Sequence, residues 1–98
     1  MTWQVEILLP VQEFLRTLGE DEHKQVLAAI RVLQDFGPNL QRPTVGIIKS
    51  SKYPNLKELR VSCAGKQFRI LFIFDPSRTA VLLVGGDKLG YGIEKFYV

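Results

Sequence analysis

A two-layer α+β domain of order β-α-α-β-β-β, with two N-terminal helices packed on one face of a mainly antiparallel sheet, is the fold this sequence predicts. Three observations lead to it. Apolar residues recur at helical spacing only between residues 10 and 36, they alternate at strand spacing before and after that segment, and the last strands are separated by the turn-forming tetrapeptides "CAGK" and "DPSR". Helices that come first and strands that follow as hairpins leave one side of the sheet covered and the other open.

The N-terminal "TWQVEILL" alternates Trp3, Val5 and Ile7 with Thr2, Gln4 and Glu6, the pattern of a half-buried strand. Pro10 suits the first turn of a helix, and Val11, Phe14, Leu15 and Leu18 then follow at i, i+3, i+4 and i+7 before Gly19 ends it. The second helix opens with Glu20, Asp21 and Glu22, whose charges complement a helix N-terminus. It carries Val26, Leu27, Ile30, Leu33 and Phe36 on one face and stops at Gly37-Pro38. The two helices are expected to lie as an antiparallel pair over the sheet. Residues 38–55, rich in Pro, Asn and Ser around "VGII", read as a loop that holds at most a short strand.

Three strands close the chain, at roughly 56–62, 67–74 and 79–85. A two-residue turn at Ala64-Gly65 sets Ser62 opposite Gln67, Val61 opposite Phe68 and Arg60 opposite Arg69. Leu59, Val61, Phe68, Ile70, Phe72 and Phe74 then share the helix-facing side, while Glu58, Arg60, Ser62, Gln67, Arg69 and Leu71 share the open one. Read as a four-residue loop, "DPSR" pairs Phe74 with Thr79 and Arg69 with Val84, which continues Gly86 and Lys88 on the arginine face.

With 98 residues, one domain spanning 1–98 can bury a core without disulfides or a structural metal. The single cysteine, Cys63, and the single histidine, His23, leave no zinc-type ligand cluster, and neither metal nor cofactor is expected. No basic n-region with an apolar stretch opens the chain and no apolar run has membrane-spanning length, so the sequence predicts a cytoplasmic protein without a membrane partner. "GGDKLGYG" is glycine-rich but lacks the spacing of a dinucleotide or phosphate-loop fingerprint.

Charge is divided unevenly. Residues 1–45 carry four Lys/Arg against six Asp/Glu, and residues 46–98 carry nine against four, so the second half is basic. Such asymmetry points to a polyanionic partner. Like charges set directly opposite one another destabilise a sheet, so the Arg60/Arg69 pair requires compensation. Arg60 could pair diagonally with Glu58 or with a C-terminal acid; alternatively an anion binds between the guanidiniums, whose planar forks match phosphate oxygens. Lys88 close by favours the phosphate. Everything here requires an even-numbered turn, because a three-residue tip would put Arg69 on the other side.

"LKELRV", "FRILFIFDPSRTAVLLVGGDK" and the strand-helix-helix layout before them resemble the RelE/ParE toxin superfamily, in particular its phage-derived HigB-like branch, over nearly the whole chain. That resemblance implies a toxin of a type II toxin-antitoxin system. Such toxins are ribosome-dependent mRNA endoribonucleases or, in the ParE branch, gyrase poisons, and each is neutralised by a cognate antitoxin, here a helix-turn-helix protein. Carried over by motif, Arg69, Lys88 and Tyr97 become the catalytic residues and Arg60 a cation on the preceding strand; Lys49, Lys52, Lys57, Tyr91 and Lys95 are expected to join Arg60 in binding RNA on the ribosome. The implied reaction is metal-free attack of a 2′-hydroxyl on the adjacent phosphate. Members of the branch usually continue past "KFY" into a helix, whereas this sequence ends at Val98; a gyrase-poisoning toxin or an inactive antitoxin-binding phage remnant are the alternatives.

Overall fold

The structure, a computed structural model, describes residues 2–48 and 55–87. Its elements run β1 (Gln4–Ile7), α1 (Leu9–Arg16), α2 (Glu20–Phe36), a 3-10 turn (Gly37–Asn39), β2 (Val45–Ile47), β3 (Lys57–Cys63), β4 (Lys66–Asp75) and β5 (Thr79–Asp87). The five strands form one sheet in the order β1-β5-β4-β3-β2, in which only the β1–β5 pair is parallel. Two helices on a mixed, mostly antiparallel sheet give the predicted α+β architecture, and "VGI" is indeed a short strand, β2, at one edge.

Alternation along the strands builds the core. Leu59, Val61, Phe68, Ile70, Phe72, Ala80 and Leu82 meet Val11 of α1 and Val26, Ile30 and Leu33 of α2 in one buried cluster. Burying each such aliphatic or aromatic side chain stabilises the fold by about 1.5–3 kcal/mol. The helices do not simply pair with each other: α1 lies mainly over β5 and α2 over β3. Leu27 and Phe36, expected on the core face of α2, are 42% and 57% exposed, because that stripe is narrower than the sequence pattern allows. At the end of α2, Gly37 has φ 55°, and a Cβ there would run into the Trp3 indole. Glycine therefore both ends the helix and lets Trp3 close over it, edge-on to Phe74 at 5.0 Å and beneath Arg78 at 4.8 Å.

Two turns set the registers. Ala64 and Gly65 form the two-residue tip of the β3–β4 hairpin with φ of 51° and 81°, the doubly left-handed backbone of a type I′ turn. Alanine is strained there. Ala64→Asn is expected to raise stability by about 0.5–1 kcal/mol, read as a higher urea midpoint; an unchanged or lower midpoint would contradict the turn assignment.

The β4–β5 connection differs from the sequence expectation. Asp75 pairs with Thr79 and Phe74 with Ala80, so the loop has three residues with Arg78 left-handed at φ 63°, rather than four. The Asp75 carboxylate explains the tighter loop: it accepts hydrogen bonds from the Ser77 hydroxyl (2.7 Å), the Ser77 N–H (3.0 Å) and the Thr79 N–H (3.1 Å). Further along, a bulge at Leu83 sets Leu71 opposite Val84 and Arg69 opposite Gly86 instead of Val84. The two one-residue shifts add to two, so Val84 and Gly86 still lie on the arginine side, whereas Ala80 rather than Thr79 enters the core.

An ion pair fastens the hairpin tip to the helix layer. Glu22 accepts from Lys66 Nζ at 2.8 Å and from the Gly19 N–H at 3.0 Å, half of a capping box. These hydrogen bonds, Lys66 first, hold the Glu22 carboxyl below its ordinary 4.5. The Ser77 hydroxyl likewise lowers Asp75 from 3.8, and Glu22 raises Lys66 above 10.5. A lowered folded-state carboxyl pKa gives stability that is complete above the unfolded value and is lost as pH falls through the folded one; the raised lysine loses its share as pH rises through its folded value. Urea midpoints are therefore expected to stay level near neutrality and to drop below about pH 4.5, with Glu22→Gln shallowing that acid limb. An acid limb identical in the variant would remove the pair from the account.

Candidate nucleic-acid interface

On the side of the sheet away from the helices, the even turn at Ala64-Gly65 stacks three cross-strand rows: Ser62 with Gln67, Arg60 with Arg69, and Glu58 with Leu71. Gln67 accepts a 3.0 Å hydrogen bond from the Ser62 hydroxyl. β2 and the loop before it wall one flank, since the Arg60 N–H donates to the Thr44 carbonyl at 2.8 Å. On the other flank β5 sets Gly86 beside Arg69, and glycine brings no side chain to cover it. The result is a groove of about 300 Å³ lined by Pro43, Thr44, Arg60, Ser62, Gln67 and Arg69.

Each arginine is held differently. Arg60 lies along β2 with its guanidinium over Gly46, where any Cβ would collide with it, and its Nε donates to Glu58 Oε1 at 3.0 Å. Its side chain remains 35% exposed. Arg69 is much deeper, its side chain 9% exposed, with Nη1 donating to the Phe68 carbonyl at 2.9 Å. Its Nε has no hydrogen-bond partner and stands 3.9 Å from Glu58 Oε2. Glu58, two residues before Arg60 and therefore on the same face, thus presents one carboxylate to both guanidiniums. It supplies negative charge against the repulsion of two opposed arginines.

Not all of this face is polar. Leu71 packs with Ile48 and Leu56, joined by Ile73, Leu83 and Val84, in a second apolar cluster beside the arginine rows. The groove is therefore a polar end of a partly apolar surface rather than one open cationic sheet.

Of the residues singled out from the sequence, the structure brings Arg60 and Arg69 together. Lys57 is not with them: by alternation it shares the side of Leu59 and lines a separate groove of about 360 Å³ with Pro38, Leu40, Gln41, Arg42, Val45 and Ile47. Lys49, Lys52, Lys88, Tyr91, Lys95 and Tyr97 lie outside the described residues. Sequence reasoning weighed Glu58 only as an alternative partner for Arg60; the i, i+2 spacing was the signal that it faces Arg69 as well. Thr44 and Gly46 left no such signal, because nothing local says that residues 45–47 pair with β3. Among the described residues no three His, Cys, Asp or Glu side chains gather as a metal site, and no helix is long and apolar enough to cross a membrane.

Residues 13–97 match the family described as phage-derived protein Gp49-like. The chain belongs to this family. Among curated relatives of this Gp49-like protein, "Putative toxin HigB3" of Mycobacterium tuberculosis is 48% identical over 85 residues, which cover 86% of the chain and 73% of that relative. "Putative toxin HigB2" of the same organism is 41% identical over 81 residues, covering 82% of the chain and 40% of its own longer sequence. Among solved structures, a free mutant of the Escherichia coli toxin RelE superposes with a TM-score of 0.66 at 10% identity, over 99% of this chain and 95% of that one. The archaeal RelE-RelB complex from Pyrococcus horikoshii OT3 gives 0.65 at 17% identity, over 93% and 100%. The Gp49-like chain therefore has the RelE fold and is a HigB-like toxin of the RelE superfamily, as its "ELR", "FRILF" and "GGDK" motifs led one to expect.

Proposed function

We propose that this HigB-like toxin is a ribosome-dependent endoribonuclease that cleaves mRNA and so inhibits translation. The observation that carries the reading is the level pair Arg60/Arg69 beside a groove on the sheet face that the helices leave uncovered. Two arginines lining one groove suit a phosphodiester better than a neutral ligand, since a guanidinium offers a planar set of donors to phosphate oxygens.

In the proposed reaction an RNA 2′-hydroxyl oxygen bonds to the adjacent phosphorus as the bond from phosphorus to the 5′-oxygen breaks. The products are a 2′,3′-cyclic phosphate and a 5′-hydroxyl. The proton leaves the 2′-hydroxyl for a base, and the departing 5′-oxygen takes one from an acid. Arg69, with Arg60, would stabilise the negative charge that grows on the non-bridging oxygens, which needs no metal and is usually the largest contribution such a site makes. Lys88 and Tyr97 are the proposed proton-transfer groups; with ordinary pKa values near 10, either would need a positive neighbourhood to act as base. Binding to the ribosome would bend the message into the groove. A cognate antitoxin of helix-turn-helix type is the proposed neutralising partner; solved neighbours with this fold are complexes of RelE with RelB.

Induced expression with and without the adjacent gene, followed by mapping of new 5′-hydroxyl ends on mRNA in a cell-free translation reaction, tests this reading. Growth arrest relieved by the neighbour, with ends that appear only when ribosomes are present, is the expected result. Gyrase inhibition without mRNA cleavage would replace it with the ParE-type activity, and no arrest at all would leave an inactive remnant.

A further inference from the structure

Glu58, in the row next to the two arginines, has a role of its own. Glu58 is 6% exposed, it is engaged by Arg60 Nε at 3.0 Å, and its second oxygen stands 3.9 Å from an Arg69 Nε that has no hydrogen-bond partner. We infer that Glu58 is a positioning residue and an internal competitor for phosphate: its carboxylate bonds Arg60 through Nε and faces the unbonded Nε of Arg69, and an incoming phosphate must share the two guanidiniums with it. The inference rests on the phosphate-binding reading of this groove but not on cleavage.

Three features carry it. The carboxylate accepts from Arg60 Nε, while Arg69 Nη1 is fixed on the Phe68 carbonyl, so each arginine has one anchored edge. The groove lies toward Ser62 and Gln67, so an anion entering there meets an Arg60 whose Nε is already bonded to Glu58 and an Arg69 that faces the same carboxylate across 3.9 Å. Finally, Gly46 leaves room for Arg60 alone to lie over β2, so this arginine has no side chain at Gly46 to rest against, and the carboxylate sets its direction. A buried carboxylate facing two cations lowers their joint attraction for a second anion by close to one unit charge. The site would thus hold free RNA weakly and depend on the ribosome for residence, with tight nonspecific binding avoided.

Inorganic phosphate is the probe, titrated into the full chain and followed at the arginine Nε–Hε resonances by NMR. Glu58→Gln keeps the shape and the acceptor oxygen and removes the charge. It is expected to tighten phosphate binding by about fivefold or more at low salt, with the gap closing as ionic strength rises. For a single-stranded RNA oligonucleotide, the logarithmic salt dependence should steepen by about 0.7, the increment for one further neutralised phosphate. Should the variant not fold, the wild-type chain gives a second readout: phosphate that competes with Glu58 must shift its carboxyl carbon resonance. Equal phosphate affinity in both proteins, or phosphate bound at the arginines with the Glu58 carbon unmoved, overturns the inference. Tighter phosphate binding in a chain that cuts no mRNA would uphold the role of Glu58 and remove the nuclease reading, so the two failures are separable.

Discussion

Arg69→Ala is expected to abolish mRNA cleavage in a cell-free translation assay, with a loss of at least about 10²–10³-fold, the range seen when one donor to a developing oxyanion is removed. The reason is position. Arg69 is 9% exposed, lines the groove, and is anchored by Nη1 on the Phe68 carbonyl. Arg60 cannot substitute, since its guanidinium is committed to lie over Gly46. The fold should survive, because Glu58 keeps its 3.0 Å bond to Arg60 when Arg69 is gone; the cost is on the order of 1–3 kcal/mol for the Phe68 carbonyl and the weakened carboxylate. A thermal melt run beside the cleavage assay separates the two effects. Arg69→Lys should recover only part of the activity, because an ammonium restores charge without the planar fork. Cleavage by Arg69→Ala at the wild-type rate would remove the mechanism.

Phe72→Ala is expected to cost about 3–5 kcal/mol, against a total of about 5–15 kcal/mol for a domain of this size. Phe72 is fully buried, pairs with Leu82 on one side and Lys57 on the other, and meets the Phe74 ring edge-on at 5.3 Å. It sits where the Leu83 bulge changes the β4–β5 register, so the sheet has little freedom to close the vacancy. Phe72→Leu, which keeps most of the volume, should cost less than about 1.5 kcal/mol. Urea denaturation gives both values; a loss below about 1 kcal/mol for the alanine variant would mean that the helices and sheet do not meet at this residue.

Much of the fold was legible because its signals are local. The i, i+3 and i+4 spacing of Val11, Phe14 and Leu15, the acids at the start of α2 and the Ala64-Gly65 tip each depend on neighbouring residues alone, and each is found in the fold, although α1 ends at Arg16, before Leu18. The β4–β5 register was not legible, because the loop length depends on three hydrogen bonds to Asp75 and because a bulge leaves no mark in an apolar run such as "AVLLVGG". Leu27 and Phe36 carry the right period but too many apolar candidates for the width of sheet beneath them. The HigB-like resemblance was legible from its motifs, which the family match and the relatives then supported.

The candidate site divides in the same way. Alternation and an even turn were enough to set Arg60 and Arg69 on one face with Glu58, away from the helices. How that row is balanced depends on contacts far apart in the chain: Gly46 of an edge strand makes room for Arg60, Arg69 is buried beside Gly86, and Glu58 reaches toward both guanidiniums. The difference is one of range. Side-chain direction is set by the residue's own backbone, whereas charge compensation and access depend on strands that pair across long stretches of chain.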